Sequence, residues 1–172
     1  MLVRVDPPVQ DIEDFAVRCG ELGYGNNDSL HSMKYQWCKD VGGAWWAAYQ
    51  NGNIVSVAGC HPFRDGYRFV FRGAQTVAHR RGLSRDHASS IPWCVLMPEQ
   101  IAYCGGVAEM STPAYITTNV SHDSSGKMNR THRVLHHLSH RGTVDYVGDD
   151  TIYNTLQSVW RLNVGRYYET LV

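Results

Sequence analysis

The sequence lacks net charge, a long apolar run and any closely spaced pair of cysteines, and each absence excludes a class of protein. Lys plus Arg and Asp plus Glu number 16 each, so no global positive field is available for non-specific nucleic-acid binding. No apolar window approaches the length of a membrane span, and the first residues carry charges and prolines where a signal peptide needs an apolar stretch. We therefore expect a cytoplasmic protein that binds neither nucleic acid nor membrane.

The cysteines do not form a recognisable framework. They are five in number and widely scattered, at Cys19, Cys38, Cys60, Cys94 and Cys104. An odd count without a CxxC pair argues against both a disulfide framework and a zinc ribbon. We expect most of them to be small buried residues in a reducing compartment.

The length and composition are typical of one compact domain. At 172 residues and 43% hydrophobic content, the chain can bury most of its unfolded surface in a single core. No internal repeat or low-complexity tract interrupts it. We expect one domain over residues 1–172.

Apolar periodicity in the first half of the chain predicts two helices followed by three strands. The dipeptide Asn51-Gly52 lies between two of these strands and is a strong signal for a hairpin turn. The predicted helices are Val9–Leu22 and one through Leu30–Trp37, and the predicted strands are Trp45–Tyr49, Ile54–Cys60 and Tyr67–Val77.

The second half predicts further helices and strands, and so an α+β fold. Pro92 and Pro98 cannot both lie comfortably inside one unbroken helix, which indicates two pieces with a kink between them. Gly142 is expected to end the last of these helices. The predicted helices are Ser84–Ser90, Trp93–Tyr103 and Lys127–His140, and the predicted strands are Ala114–Thr118, Thr143–Val147 and Ile152–Leu162, the last two joined by a turn at Gly148–Asp150.

A glycine turn with three arginines follows the third predicted strand. The segment His79–Ser84 contains Arg80, Arg81 and Gly82, and Arg85 follows it. Guanidinium groups and a helix N-terminus both suit phosphate oxygens. The segment is either a phosphate site or an ordinary basic surface turn.

Three segments resemble the GNAT superfamily of acyl-CoA-dependent N-acyltransferases. They are Trp46–Gly59, which is similar to the family's strand-turn-strand hairpin, Ala114–Asn119 before a helix, and the closing Trp160–Asn163. The resemblance covers roughly residues 5–163 and includes the order of the predicted elements. It implies a central mixed, mostly antiparallel sheet flanked by helices, an α/β sandwich-like arrangement. The pattern also resembles GNAT-like proteins of tailed phages of marine cyanobacteria, which would place the protein in a host cytoplasm.

The resemblance implies a site for acetyl-CoA or another acyl-CoA. In the family, backbone N–H groups of a turn similar to His79–Ser84 bind the cofactor's pyrophosphate, although Ser84 stands here where the family has Gly or Ala. The residues before that turn would contact the acyl carbonyl. The implied cofactor-binding residues are Val77, Ala78, His79, Arg80, Arg81, Gly82, Leu83, Ser84, Arg85, Asn119 and Asn129.

The family's chemistry is attack of an amine on the thioester, which needs a base and an acid. The tyrosine that often serves as the acid is replaced by Leu138 in this sequence, and His136 and His137 precede it. His136 is therefore our candidate acid. His61, at the end of a predicted strand, is a candidate base, with a structural role as the alternative.

The last of the predicted helices is rich in histidine, with His132, His136, His137 and His140. His132, His136 and His140 share one face, so two imidazoles could reach one metal ion. No HExxH glutamate accompanies them and the flanking arginines oppose a cation, so we expect no metal. A solvated, pH-sensitive face is favoured, and contact with the cofactor's nucleotide or an acidic partner is the third interpretation.

Three functions compete. The leading one is an N-acyltransferase acting on a small-molecule or peptide amine, for which a homodimer is compatible with the sequence. The second is a GNAT-like binding or structural module without chemistry, suggested by Ser84 and Leu138. The third is a cysteine hydrolase that uses Cys60 or Cys94 with a histidine, although no local signature supports it.

Overall fold

The computed structural model describes residues 1–21, 32–74, 91–107, 112–120, 130–152 and 154–171. Seven strands are hydrogen-bonded in the order β1-β2-β3-β4-β5-β7-β6. They are β1 Leu2–Val5, β2 Ala44–Gln50, β3 Asn53–Phe63, β4 Gly66–Ala74, β5 Ala114–Asn119, β6 Val144–Ile152 and β7 Thr155–Leu162. The α-helices are α1 Val9–Glu21, α2 Ser32–Asp40, α3 Met97–Val107, α4 Arg130–His140 and α5 Val164–Thr170. The mixed sheet flanked by helices confirms the predicted fold class.

The chain divides into two compact units. Unit 1 comprises residues 1–62 and 69–109, and unit 2 comprises residues 63–68 and 110–172. Strand β4 contributes its first residues to unit 2 and Phe69–Ala74 to unit 1. The single domain expected over residues 1–172 stays a prediction.

Unit 1 is built on a β-hairpin that its turn residues explain. Asn51 and Gly52 have φ angles of 51° and 78°, the left-handed conformation that a two-residue hairpin turn of the primed type requires at both positions. Antiparallel pairing then continues from Gln50 and Asn53 to Ala44 and Cys60. The Asn-Gly hairpin prediction is confirmed.

The core of unit 1 lies between this hairpin and the first two helices. Residues at alternate positions of β2 point to one face of the strand, where they meet the apolar stripe of α1. Tyr35 and Trp45 pack with ring centroids 5.5 Å apart. The cluster consists of Ile12, Phe15, Tyr35, Cys38, Trp45, Ala47, Tyr49, Ile54 and Val57.

The helix with two prolines is accommodated by a change of winding. A π-helical turn covers Pro92–Leu96, and α3 follows directly from Met97. Pro92 lies at the start of this turn, where proline is tolerated because the first N–H groups of a helix have no partner within it. The predicted helix over Trp93–Tyr103 is confirmed, and the piece predicted over Ser84–Ser90 lies outside the described residues.

Unit 2 contains β5, β6, β7, α4 and α5. Both strand pairs are antiparallel, with Ile116 opposite Trp160 and Trp160 opposite Tyr146. Gly142, with φ 72°, ends α4 as predicted, and Thr143 N–H donates to Leu138 O at 3.0 Å. This left-handed glycine after a helix is the usual C-terminal cap.

The turn predicted at Gly148–Asp150 is wrong. Strand β6 runs through this segment to Ile152, and β7 begins at Thr155. Gly148 takes its φ of 124° where the register shifts, between Tyr146 and Gly148, so the glycine forms a bulge in the strand. Asn154, with φ 60°, occupies the true turn.

Two elements were not anticipated. Strand β1 pairs antiparallel with β2 at the edge of the sheet, with Leu2 opposite Tyr49. Helix α5 begins at Asn163, whose side chain accepts a hydrogen bond from Arg166 N–H at 3.1 Å. An asparagine before a helix is a recognised N-cap signal, so this start was legible in the sequence.

Among the helices described, none combines the length and the apolar character needed to span a bilayer.

Candidate functional site

The segment predicted to hold the cofactor follows strand β4. Within unit 1, the strand is anchored near its end, because the Ser56 hydroxyl donates to Gly73 O at 2.8 Å. Ala74 is the last described residue of β4. The predicted contacts over residues 77–85, and Asn129 with them, lie outside the described residues and stay predictions.

Asn119 is the described member of the predicted cofactor set. It is the last residue of β5 and is exposed, opposite Gln157 of β7. The next residue is held in place, since Val120 N–H donates to Leu156 O at 3.2 Å. The end of β5 is therefore fixed by β7, with the Asn119 side chain at the surface of unit 2.

The candidate base His61 lies on β3 in unit 1 and is buried, at 3% exposure. Its Nδ1 lies 2.8 Å from Pro62 O. A carbonyl oxygen can only accept, so Nδ1 carries the proton in this contact, and the lone pair of the neutral ring is on Nε2. The Trp37 ring meets the imidazole edge-on, at 5.0 Å between centroids.

Near His61, strand β3 is contacted by an amide and a thiol side chain of helix α3. Gln100 of α3 donates from Nε2 to Gly59 O at 2.7 Å. One turn later on the same helix, Cys104 Sγ lies 3.6 Å from Cys60 Sγ. Helix α3 therefore docks on β3 through consecutive residues of the strand.

Neither cysteine offered for a hydrolase is activated as a nucleophile. Burial raises the pKa of Cys60 well above its ordinary value, and the hydrogen bond with the neighbouring Cys104 thiol raises it further. The exposed Cys94 also has a raised pKa, because the thiol is partly desolvated. Reactive cysteines need a lowered pKa, so these thiols are chemically quiet at neutral pH.

The candidate acid His136 lies on α4 in unit 2 and is exposed. Its ring stacks on that of His132, at 4.7 Å and 25°, and meets the edge of Trp160 at 5.1 Å. His132 is buried at 7% exposure, and Tyr146 packs on Trp160 from β6. The candidate base His61 belongs to unit 1, whereas the candidate acid His136 belongs to unit 2.

Within the described residues, the face of α4 that carries His132 and His136 packs against the Trp160 ring of β7. His132 and His136 pack on Trp160, whose Nε1 donates to Ser158 Oγ at 2.9 Å. Across the described ranges, no group of three His, Cys, Asp or Glu side chains is arranged to hold a metal ion. The shared helix face therefore explains packing of His132 and His136, while His140 is exposed.

A buried arginine is a feature that the sequence did not reveal. Arg68 of β4 is 4% exposed, and its guanidinium donates from Nε to Thr117 Oγ1 at 2.6 Å and from Nη2 to Gln157 Oε1 at 2.8 Å. These bonds tie β4, β5 and β7 together in unit 2. Arginine is normally exposed, so no pattern in the strand predicts this burial.

No protein-family model and no curated protein sequence matches the chain. Solved structures match over most of its length. A putative acetyltransferase of the GNAT family from Desulfovibrio desulfuricans is 12% identical, with a TM-score of 0.60, and the match covers 95% of this chain and 99% of that one. Ribosomal-protein-alanine N-acetyltransferase from Brucella melitensis is 13% identical, with a TM-score of 0.58 and coverage of 94% and 98%.

A third similar structure contains the expected type of cofactor. It is an aminoglycoside 6'-N-acetyltransferase complexed with coenzyme A, 12% identical, with a TM-score of 0.52 and coverage of 94% and 96%. At these identities, the likeness establishes the fold. The chain has the fold of the GNAT acetyltransferases, and the resemblance predicted from its sequence is confirmed at that level.

Proposed function

We propose that this chain is an acyl-CoA-dependent N-acyltransferase that transfers an acetyl or other acyl group to a small-molecule or peptide amine. The observation that carries the proposal is the shared fold, which spans 94–95% of the chain in the matches to three acetyltransferases. One of those proteins was solved with coenzyme A. The phage origin, the cytoplasmic location and a homodimer stay predictions.

The proposed cofactor contacts are those that the family resemblance implies, namely residues 77–85, Asn119 and Asn129. In this proposal, backbone N–H groups of His79–Ser84 and the guanidinium groups of Arg80, Arg81 and Arg85 hold phosphate oxygens. Asn119 lies at the surface at the end of β5, a position compatible with a polar contact. The sequence alone supports the assignment of residues 77–85 and Asn129.

The chemistry requires this chain to polarise a carbonyl and move protons. A backbone N–H near Val77 and Ala78 would polarise the thioester carbonyl while the amine nitrogen attacks its carbon. In this proposal His61 is the base, because its contact with Pro62 O puts the lone pair of the neutral ring on Nε2, and the amine would have to reach this buried atom. His136 would return a proton to the departing thiolate, and its side chain is exposed.

Titration with acetyl-CoA tests the proposal. A ligand that binds only the native state raises the free energy of unfolding by about 2.7 kcal/mol at a concentration one hundred times its Kd. We expect a concentration-dependent rise in the melting temperature. No shift at millimolar acetyl-CoA would contradict the transferase and favour the module without chemistry.

A bulky side chain at the glycine turn tests the location of the site. We expect Gly82→Trp to abolish the acetyl-CoA shift, because an indole would occupy the space that the pyrophosphate needs. Gly105→Trp is the matched control, since a Cβ at Gly105 of α3 meets nothing within 4 Å. Equal cofactor affinity in both variants would refute the location.

The arginines test the electrostatic part of the site. We expect the double change Arg80→Ala and Arg81→Ala to weaken binding more at low salt than at high salt, because screening reduces the field of these charges. Arg133→Ala with Arg141→Ala, at exposed positions on and after α4, serves as the control. A loss that does not depend on salt would indicate damage to the fold instead.

The two histidines are tested by kinetics. Loss of a general acid or base lowers the turnover number by roughly 10²-fold or more and removes one limb of its pH dependence. We expect this of His136→Gln but not of His140→Gln, which changes an exposed residue of the same helix. His61→Gln is measured together with its unfolding free energy, because His61 is buried. An unchanged pH profile would remove that histidine from the mechanism.

A further inference from the structure

The turn between β3 and β4 contains an arginine in a backbone conformation that arginine rarely adopts. Arg64 has φ 52°. In the described ranges, the other non-glycine residues with positive φ are Asp6, Asn51 and Asn154. Asp and Asn tolerate this conformation because their short side chains hydrogen-bond locally, whereas an arginine must be held there by its surroundings.

The turn is held firmly within unit 2. Tyr67 N–H donates to Pro113 O at 2.9 Å. Gly66 approaches the same peptide so closely that a Cβ would lie in collision with Pro113 O. The position of Arg64 is therefore set by the backbone on its C-terminal side.

The Arg64 guanidinium lies against two aromatic rings and a carboxylate. Its Cζ is 5.1 Å from the Phe63 ring centroid and 5.8 Å from that of Tyr115. The two rings meet edge to face, with centroids 5.8 Å apart. Nη2 donates to Asp150 Oδ2 at 2.7 Å. Ring faces combined with a carboxylate are the chemistry with which proteins recognise organic cations.

A second carboxylate, that of Asp65, lies beside the Tyr115 ring. The Tyr115 hydroxyl donates to Asp65 Oδ1 at 2.7 Å, and this bond, more than nearby Arg161 and Arg64, lowers the pKa of Asp65. The hydrogen bond from Arg64 likewise lowers the pKa of Asp150. Both carboxylates are therefore ionised at neutral pH, so the negative charge persists if Arg64 moves away.

The contact with Arg64 is weak enough for a solute to compete. The side chains of Arg64 and Asp150 are 39% and 49% exposed. Ion pairs with this exposure contribute little to stability, because water and salt screen them. A long arginine side chain can leave such a pair without unfolding the turn.

We propose that Phe63, Tyr115, Asp65 and Asp150 form a recognition site for an organic cation, a guanidinium or alkylammonium group, which the chain's own Arg64 occupies. This cation site is a property of unit 2 and does not depend on acyl transfer. Arg64 acts as an internal competitor for the ligand. Removing its side chain frees the positions that Arg64 occupies beside Tyr115 and Asp150, while the buried Arg68 guanidinium stays 5.7 Å from the Phe63 ring centroid.

The test uses Arg64→Gly, because glycine is the residue that a φ of 52° favours, so the variant keeps the turn. Binding of N-ethylguanidinium and of n-butylammonium is measured by NMR, following the ring resonances of Phe63 and Tyr115, without acyl-CoA. We expect Arg64→Gly to bind at least one of these cations about tenfold more tightly than the wild type. The neutral N-ethylurea should not bind.

Two controls make the result specific. Arg166→Ala breaks the exposed pair of Arg166 with Glu169 in α5 and should leave cation binding at the wild-type level. Adding Asp150→Asn to Arg64→Gly should reverse most of the gain. Arg64→Gln, which keeps a neutral side chain, should also gain affinity and replaces Arg64→Gly if that variant is unstable.

Three outcomes would overturn the cation site. They are equal affinity in Arg64→Gly and the wild type, equal binding of N-ethylurea, and a gain that survives Asp150→Asn. Because acyl-CoA is absent from every sample, failure of the proposed transferase would not affect the result. The relative affinities of the guanidinium and ammonium probes then identify the preferred cation.

Discussion

At the scale of single residues, burial decides the chemistry of side chains whose identity alone is ambiguous. Cys38 of α2 is fully buried, and its thiol lies 3.4 Å from Cys60 O. Burial raises the pKa of this thiol to about 12. The folded chain therefore keeps the thiol neutral over a pH range in which the unfolded chain would ionise it.

This difference predicts a loss of stability in alkali. The unfolded thiol begins to ionise near its ordinary pKa of 9.0 and the folded one only near 12, so its contribution is complete below pH 9 and is lost as pH rises toward 12. We expect the loss between pH 8 and pH 10 to be on the order of 1 kcal/mol. Urea unfolding at each pH measures it.

Comparison with Cys38→Ala isolates this residue. The variant should be less stable at pH 7, because a buried sulfur is lost, but its stability should fall less steeply between pH 8 and pH 10. Cys94→Ala changes an exposed cysteine and should keep more of the wild-type slope. Equal slopes in the wild type and Cys38→Ala would contradict the assignment.

Residue identity also failed to predict the buried polar contacts. Arg68 is an arginine in a strand pattern, and its contacts with Thr117 and Gln157 join residues 49 and 89 positions away. His61 was recognised as a candidate, but its burial and tautomer follow from Trp37 and Pro62. Such properties depend on neighbours that periodicity cannot identify.

At the scale of elements, local signals located most helices and strands and misplaced one turn. Helix α4 and the β2–β3 hairpin have their stop and turn residues close at hand in the sequence, namely Gly142 just after the helix and Asn51-Gly52 between the strands. Gly148 was expected to form a turn and forms a bulge instead. Glycine permits positive φ in both settings, so only the pairing of β6 with β7 distinguishes them.

Two glycines should respond in opposite directions to the same substitution. Gly66→Ala forces the new Cβ against Pro113 O, and we expect the free energy of unfolding to fall by about 2–3 kcal/mol. Gly105→Ala lies in α3 with nothing within 4 Å of the new Cβ, and we expect a gain of about 0.5–1 kcal/mol, because alanine is the better helix former.

Urea unfolding of both variants and the wild type checks this pair. Opposite signs support the close approach of the β3–β4 turn to residue 113. If Gly66→Ala proved as stable as the wild type, the turn could not lie against Pro113, and the positioning of Arg64 would lose its support.

At the scale of the whole molecule, the balance of charge predicts how the repulsion between copies of the chain changes with pH. The formal net charge is zero at pH 7, with nine histidines counted as neutral, and the pI is near 7.1. Proteins near zero net charge lack the mutual repulsion that keeps copies apart. Imidazole groups ionise between pH 5 and pH 8, so a modest change in pH changes the net charge substantially.

We expect solubility to be lowest near pH 7 and to rise toward pH 5.5 as the net charge becomes positive. Static light scattering across pH 5.5–9 at constant protein concentration measures this. Scattering should decrease again above pH 8, where the net charge is negative. A flat profile would show that association is driven by apolar surface rather than by the absence of repulsion.

The sequence by itself determined the local periodicities, the hairpin turn at Asn51-Gly52, the balance of charge and the α+β class with its GNAT pattern. The structure confirmed the fold class. The prediction was possible because each of those signals lies within a short segment, and the order of the segments along the chain can be read from the sequence. Only the tertiary structure decided that Arg68 and His61 are buried, that the Cys38 thiol stays neutral and that the Arg64 guanidinium lies against the Phe63 and Tyr115 rings. These properties are sums over contacts between distant residues, which no local pattern contains.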